Sequence, residues 1–311
     1  MTIVITNCTN RKRGYVAPGL SPENLAPGSI DSVSQQWLSR LKISPANYPA
    51  REVYCGRSFR EAEASATILN CPLYIVSAGL GIINAKHFIP NYNLTVVSGT
   101  TNSILDKVHG DTSAKAWWSR ITPNNPFGTS LVDMLNHHRG DLILLALSRA
   151  YIDLLHDELL QLPLNIQIRL RFFGKNLDAI LPDSLTGNWM PYDDRLDSAG
   201  PGYSGTQSDF SQRALRHFVT KLLNQHTNGD TFTHQTMVSD SLSTLVQRKI
   251  PKRRRLSNHE LNDVIRDNWK RGKGQSSALL KIVRQDLDIA CEQSRFKGIY
   301  HLVKQSMGDE K

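Results

Sequence analysis

The chain lacks most of the signatures that reveal an activity directly. Its 311 residues hold four cysteines, Cys8, Cys55, Cys71 and Cys291, and no two of them form a CxxC pair. Ten histidines are scattered, and His137 and His138 are adjacent rather than one helical turn apart. No metal site is expected, because a metal needs several ligands converging on one point. Four cysteines in a chain this long suit a reducing compartment. No apolar run approaches the roughly 20 residues of a membrane helix. The first residues, Met1-Thr2-Ile3-Val4-Ile5, enter a strand pattern directly, without the basic and then apolar leader of a secretory signal. A soluble cytoplasmic protein with no membrane partner is the expectation. Neither a Walker loop nor a dinucleotide fingerprint is present.

What is present is enough apolar content for a sizeable core, and an uneven charge. Hydrophobic residues make up 40% of the chain, and the mean hydropathy is −0.35. This allows one sizeable core, or one core and a small appendage. The formal net charge is +9. Pro251 to Lys311 carry 14 Lys+Arg against 8 Asp+Glu, while the first 250 residues carry 23 against 20. Most of the excess therefore lies in the last fifth of the chain, which points to a polyanion partner.

Continuous apolar or β-branched runs at Thr2–Thr6, Leu73–Val76 and Leu142–Leu147 read as buried strands, and Asn165–Phe173 as a longer alternating one. Helical patterns fill the gaps at 32–41, 58–69, 128–137, 151–160 and 207–224. Strands alternating with helices predict an α/β domain, a central mostly parallel sheet flanked by helices, over 1–225. Residues 226–250 read as a polar linker. Residues 251–311 read as a small all-helical basic DNA-binding domain. In it, Ser257-Asn258-His259-Glu260 fits a capping box, and Leu261, Val264, Ile265 and Trp269 form a helical stripe. A second helical pattern follows Ser276 or Ser277, with Leu279, Leu280, Ile282 and Val283, and a third runs from Leu287 to Val303. Lys252, Arg253, Arg254, Arg255, Lys270, Arg271 and Lys273 are its candidate phosphate contacts.

Residues 72–95, PLYIVSAGLGIINAKHFIPNYNLT, are the most informative stretch. An apolar strand stops at Ser77-Ala78-Gly79-Leu80-Gly81, where glycines let a backbone come close to a ligand. Tyr92 and Asn93 follow, an aromatic and an amide suited to a planar polar group. The strand ends at Asn7-Cys8-Thr9, Ser77 and Ser148-Arg149 share this polar character. In open α/β sheets ligands bind beyond the carboxyl ends of strands, so these turns are expected to line one crevice. The segment Gly187–Gly205 is a long loop holding Trp189, Tyr192, Asp193, Asp194 and Arg195.

Taken in order, Asn7-Cys8-Thr9, Tyr54-Cys55-Gly56-Arg57-Ser58-Phe59-Arg60-Glu61, Ser77-Ala78-Gly79-Leu80-Gly81-Ile82-Ile83 and Ile89-Pro90-Asn91-Tyr92-Asn93-Leu94-Thr95 resemble the YaaA-like proteins and relatives with a SAGLGL and IPxYDLT pattern. The resemblance covers roughly residues 1–220. It implies a DNA glycosylase of the anti-phage type, one that flips out and excises a modified base, such as glucosylated hydroxymethylcytosine, from double-stranded phage DNA. Asn93 stands where those relatives carry Asp, which assigns it to recognition rather than catalysis.

Removing a base builds oxocarbenium character on the sugar, so one carboxylate is required and no cofactor. Asp194, Glu61 and Asp193 are the candidates, in that order. Arg57 is a candidate for phosphate or sugar, and Tyr54, Tyr92 and Trp189 for stacking. Asn7, Thr9, Ser77, Gly79, Gly81, Asn93 and Ser148 complete the substrate set. Strand cleavage would need an amine poised at the sugar; no lysine stands out near the crevice, and the sequence leaves that activity open. The competing readings are a non-enzymatic DNA-binding stress protein and a nucleosidase or deoxyribosyltransferase acting on free substrate.

Overall fold

The computed structural model describes residues 2–110, 113–138, 140–223, 229–247 and 253–309. They fall into two compact units, Met1–Arg248 and Lys249–Lys311. The first is a mixed α/β unit with a central, mostly parallel sheet flanked by helices. Its strands are β1 (Thr2–Asn7), β2 (Leu73–Ser77), β3 (Gly81–Asn84), β4 (Leu142–Ala146) and β5 (Leu170–Phe173), in the order β3-β2-β1-β4-β5. β1 pairs in parallel with β2 and β4, and β4 with β5. Only β3 is antiparallel, folded back from β2 as a hairpin. Ile3, Val4, Ile5, Ile143, Leu144 and Leu145 are fully buried, as strands covered on both faces require.

The chain leaves β1 for β2 on one side and returns for β4 on the other. The reversal point of the sheet is therefore at β1, with its carboxyl end at Asn7. The helices of this unit include α1 (Ile30–Ile43), α2 (Arg57–Ile68), α3 (Ala114–Ile121), α4 (Leu131–Asn136), α5 (Arg149–Leu154), α6 (Phe210–His217) and α7 (Thr231–Ser243). Serine caps open three of them: the Ser29, Ser113 and Ser130 side chains accept from Ser32, Ala116 and Asp133 N–H groups. α2 and α6 pack together against the sheet, whereas α1, α3 and α5 form a second group.

Two expectations change. Residues 165–173 are not one strand: Leu164–Gln167 form a helical turn after Pro163, and only Leu170–Phe173 pair in the sheet. Proline fixes φ and suits a helix start better than a strand interior. Residues 231–243, read as polar linker, form α7. Its anchors are His234, Val238 and Leu242, one helical turn apart and fully buried. His234 Nδ1 takes a 2.9 Å hydrogen bond from Arg171 Nε, and Arg171 is itself 2% exposed on β5. The anchor is polar, so an apolar pattern does not show it.

The second unit has its own core of Leu261, Ile265, Leu279, Val283, Phe296 and Val303. Its helices are α8 (Asn258–Asp267), α9 (Ser276–Lys281) and α10 (Gln293–Asp309). The Ser257–Glu260 capping box is formed, with both reciprocal hydrogen bonds. A short parallel pair, β6 (Arg254–Arg255) and β7 (Ile289–Ala290), is added to the helices, and the last helix begins at Gln293 rather than Leu287.

His217 gives the first unit an acid sensitivity. It is buried beside Tyr192, whose hydroxyl lies 2.9 Å from its Nδ1. Burial first, and the Lys221 charge second, lower its pKa from 6.5 to about 4. The unfolded chain binds this proton more readily, so the contribution is complete above pH 6.5 and disappears as pH falls through 4. Its full size is about 3 kcal/mol. Urea unfolding at pH 7 and pH 4 should show this loss in the wild type, and a smaller one in His217→Phe.

Candidate functional site

The glycines of the Ser77–Gly81 bend serve packing rather than a ligand. Gly81 has φ +74°, and a Cβ there would lie 3.1 Å from the Thr129 carbonyl oxygen. A Cβ on Gly128 would lie 2.1 Å from the Leu80 carbonyl oxygen. The bend and the segment before α4 therefore pack backbone to backbone, and Ile82 exchanges hydrogen bonds with Thr129. A Cβ on Gly79 would meet Trp37 at 3.0 Å and Tyr92 at 3.1 Å. Two indole N–H groups fix the carbonyls of the bend: Trp37 donates to Gly79 and Trp117 to Ala78, each at 2.8 Å.

Ser77, Tyr54 and Tyr92 are sealed, at 0%, 1% and 0% exposure. Ser77 Oγ lies 2.6 Å from the Tyr92 hydroxyl, which lies 2.9 Å from that of Tyr54. Burial first, and Cys8 second, push both phenols well above their ordinary pKa. The assignment of these rings to stacking is thus corrected: they satisfy one another in the interior and present no face to a base. Asn93 is tied to Asn102, whose amide donates to Asn93 Oδ1 at 2.9 Å.

The side chain that sequence reasoning missed is Lys12. Its Nζ is buried without a hydrogen-bond partner among the described residues, 4.3 Å from the Tyr92 ring centroid and 5.9 Å from that of Tyr54. Burial lowers its pKa from 10.5, while Cys8 and then Cys55 act in the opposite direction. Cys8 Sγ lies 2.9 Å from the hydroxyl of Tyr151. In the sequence, Lys12 sits between Arg11 and Arg13 and reads as surface charge. No local pattern distinguishes it.

Of the three strand ends expected to line one crevice, those of β1 and β4 are joined, the Ser77 turn after β2 is sealed inside, and the end of β5 takes its place. Asn7 Oδ1 accepts from the Ser148 N–H at 3.1 Å and from Gln212 Nε2 at 3.2 Å. Asn7 thus ties β1 to the turn after β4. The Ser148 hydroxyl, at the start of α5, makes no capping bond. Thr9 Oγ1 lies within hydrogen-bonding distance of the carbonyls of Arg11 and Cys55, at 2.8 and 2.9 Å. Arg149 donates to the Asn176 carbonyl at 3.2 Å, which joins this rim to the turn after β5. There, Lys175 pairs with the carboxylate of Asp194, and Trp189 Nε1 donates to the Gly174 carbonyl at 2.7 Å. Asp194 is 8% exposed and Trp189 is half-buried. An aromatic ring and a carboxylate are therefore each anchored to the turn after β5, at Gly174 and Lys175.

Asp193 turns to Arg195 instead, with Oδ2 2.8 Å from the guanidinium. Burial opposes its charge, but the hydrogen bonds and charge of Arg195 outweigh that and hold its carboxyl below the ordinary range. Glu61 joins a different cluster. Its Oε2 lies 2.7 Å from Arg216 and its Oε1 3.3 Å from Arg57, which also donates to the Gly202 carbonyl at 2.6 Å. Glu61 and Arg57 therefore bind α2 to α6 and to the Gly187–Gly205 loop. Neither is placed with Asp194.

In the second unit, Arg253, Arg254, Arg255, Lys270, Arg271 and Lys273 are all exposed. Arg271 pairs with Asp286. Lys252 lies outside the described residues. Arg253, Arg255, Arg284 and Arg295 line a groove of about 640 Å³, although the side chains of Arg284 and Arg295 are held by the carbonyls of Cys291 and Leu256. Compared with protein-family models, with curated proteins and with solved structures, the chain matches none.

Proposed function

We propose that this protein is a DNA glycosylase that excises a modified nucleobase, with phage DNA as its substrate. The observation that carries the reading is the grouping of Asp194, Lys175 and Trp189 at the carboxyl end of β5, joined through Arg149 and Ser148 to the end of β1. Asp194 stabilises the developing oxocarbenium ion, and Lys175 holds that carboxylate in place. Trp189 is the remaining stacking surface for a flipped base. The motif resemblance supports the substrate class, and the exposed arginines of the second unit supply phosphate contacts.

The test is incubation of the full chain with normal, hydroxymethylated and glucosylated duplex DNA, followed by mass spectrometry of the released bases. Liberation of one modified base, with alkali-labile sites left behind, is the expected result. DNA binding without release of any base would favour the second reading, a non-enzymatic DNA-binding protein. The closure around Tyr54 and Tyr92 removes two expected stacking rings and is the observation that supports this second reading.

The same complex carries a salt prediction. Five exposed cations, Arg253, Arg254, Arg255, Lys270 and Lys273, are unpaired by salt bridges among the described residues, and each phosphate contact contributes about −0.9 to the slope of log affinity against log salt. Affinity should fall about 10²–10³-fold between roughly 50 and 200 mM salt. Replacing the three arginines with alanine should flatten that slope by about three. A salt-independent affinity in the wild type would remove this unit from the interface.

A further inference from the structure

We propose that Lys12 is a nucleophilic amine that forms an imine with C1′ of an abasic deoxyribose, giving the chain a strand-cleaving activity beyond base removal. The inference rests on the base-removal reading for its substrate class and on the structure for the residue. Four side-chain polar atoms are buried without a partner among the described residues, and Lys12 Nζ is the only amine of the four. A buried ammonium normally has a carboxylate beside it. The groups facing Lys12 are instead the thiols of Cys8 and Cys55 and the phenols of Tyr54 and Tyr92. Both phenols are held neutral by burial. The environment therefore favours the uncharged amine, the form with a free lone pair, as in other lysines that attack carbonyls.

Position supports the role. Lys12 follows the carboxyl end of β1, the reversal point of the sheet, and is joined to Tyr54 by an isolated bridge. The residue as a whole is half-buried, with Nζ covered by the two rings, and imine formation requires that cover to open. Arg11 and Arg13 on either side are exposed, placed to hold the phosphates that flank an abasic nucleotide.

The step balances without a further reactant. Nζ adds to the C1′ aldehyde of the ring-opened sugar, and the carbinolamine oxygen leaves as water to give a C1′ iminium. The iminium acidifies C2′–H. Water takes that proton, the electron pair forms the C2′–C3′ double bond, and the C3′–O bond breaks to release the 3′ phosphate. Hydrolysis of the imine returns the amine and frees an unsaturated aldehyde.

The experiment uses the full chain, a duplex with one preformed abasic site, and cyanoborohydride to reduce the imine. The wild type should give a covalent adduct that maps to Lys12, and Lys12→Met and Lys12→Arg at least tenfold less. No wild-type adduct, an equal yield from the variants, or an adduct mapped elsewhere would overturn the proposal. Because no modified base is involved, the two readings separate. Base release from modified DNA without an adduct overturns this inference and leaves the glycosylase reading. A Lys12 adduct without base release from any DNA does the reverse. Thermal unfolding checks the premise. The unfolded chain binds the Lys12 proton more tightly, so wild-type stability rises with pH toward 10.5. Lys12→Met should therefore melt above the wild type at pH 7, by a margin that narrows as pH rises. A lower melting temperature would show a satisfied amine and overturn the proposal.

Discussion

Replacing Arg213 with methionine should lower the melting temperature of the Met1–Arg248 unit by about 6–20 °C. Arg213 is 1% exposed, and its guanidinium is fully engaged. Nε lies 2.7 Å from Asp209 Oδ1, and NH1 lies 2.7 Å from Asp197 Oδ1. NH1 also donates to the Tyr203 carbonyl, and NH2 to that of Thr206 at 2.9 Å. Methionine fills similar volume but takes the guanidinium from Asp197 and from Asp209, which is 5% exposed and keeps, among the described residues, only the Arg57 cation, 3.8 Å from its Oδ2. Breaking a buried pair from one side costs about 3–5 kcal/mol, against about 5–15 for a whole domain. For a unit of this length each kcal/mol is worth about 2–4 °C. Adding Asp209→Asn to the variant should recover part of the loss, because it removes one stranded anion. Circular dichroism melts of the two variants decide it. A shift below about 2 °C in Arg213→Met would mean that the cluster is not structural. The cluster also fixes the loop that bears Asp194, since a Cβ on Gly205 would lie 2.5 Å from Arg213 Nε.

That cluster also marks how far the sequence could be read. Arg213, Arg216 and His217 fall near one helical face by spacing alone, and the strands at 2–6, 73–76 and 142–147 stand out by apolar content. What each charge faces depends on residues far along the chain. Glu61 meets Arg216 across 155 positions. The glycines of SAGLG show the same limit. Spacing says that a Cβ is not tolerated, but not whether a ligand or another backbone takes its place. Gly128 takes it, 47 positions after Gly81, and no local pattern connects the two. Tyr54 and Tyr92 follow from that closure. Lys12 is the converse: two flanking arginines make it look like surface charge, and only the packing of the tyrosines around it reveals the buried amine. The grouping of Asp194 and Trp189 was legible because both lie in one long polar loop. Its Lys175 partner was not.

Replacing Asp194 with asparagine should lower the rate of base release by about 10³-fold while leaving the fold and the affinity for DNA nearly unchanged. The side chains are isosteric, and the Lys175 pair lies at the rim, with 30% and 11% of the two side chains exposed. Asp194 is buried but the Lys175 ammonium stays partly hydrated, so the loss is about 1–3 kcal/mol and the melting temperature should fall by about 2–12 °C. The rate responds differently. An amide carries no negative charge to place against an oxocarbenium ion, and losing one such electrostatic contact or proton acceptor costs about 10²–10⁴. Affinity is set mainly by phosphate contacts, and loss of an anion at the rim should if anything strengthen it slightly. Lys175→Met separates charge from position. It leaves the carboxylate but frees its geometry, so its rate should fall less than that of Asp194→Asn. Single-turnover release on the modified duplex measures both. Asp193→Asn serves as the comparison, because Arg195 holds that carboxylate in its own pair. Full turnover in Asp194→Asn, with loss in Asp193→Asn or Glu61→Gln, would move the chemistry away from the end of β5.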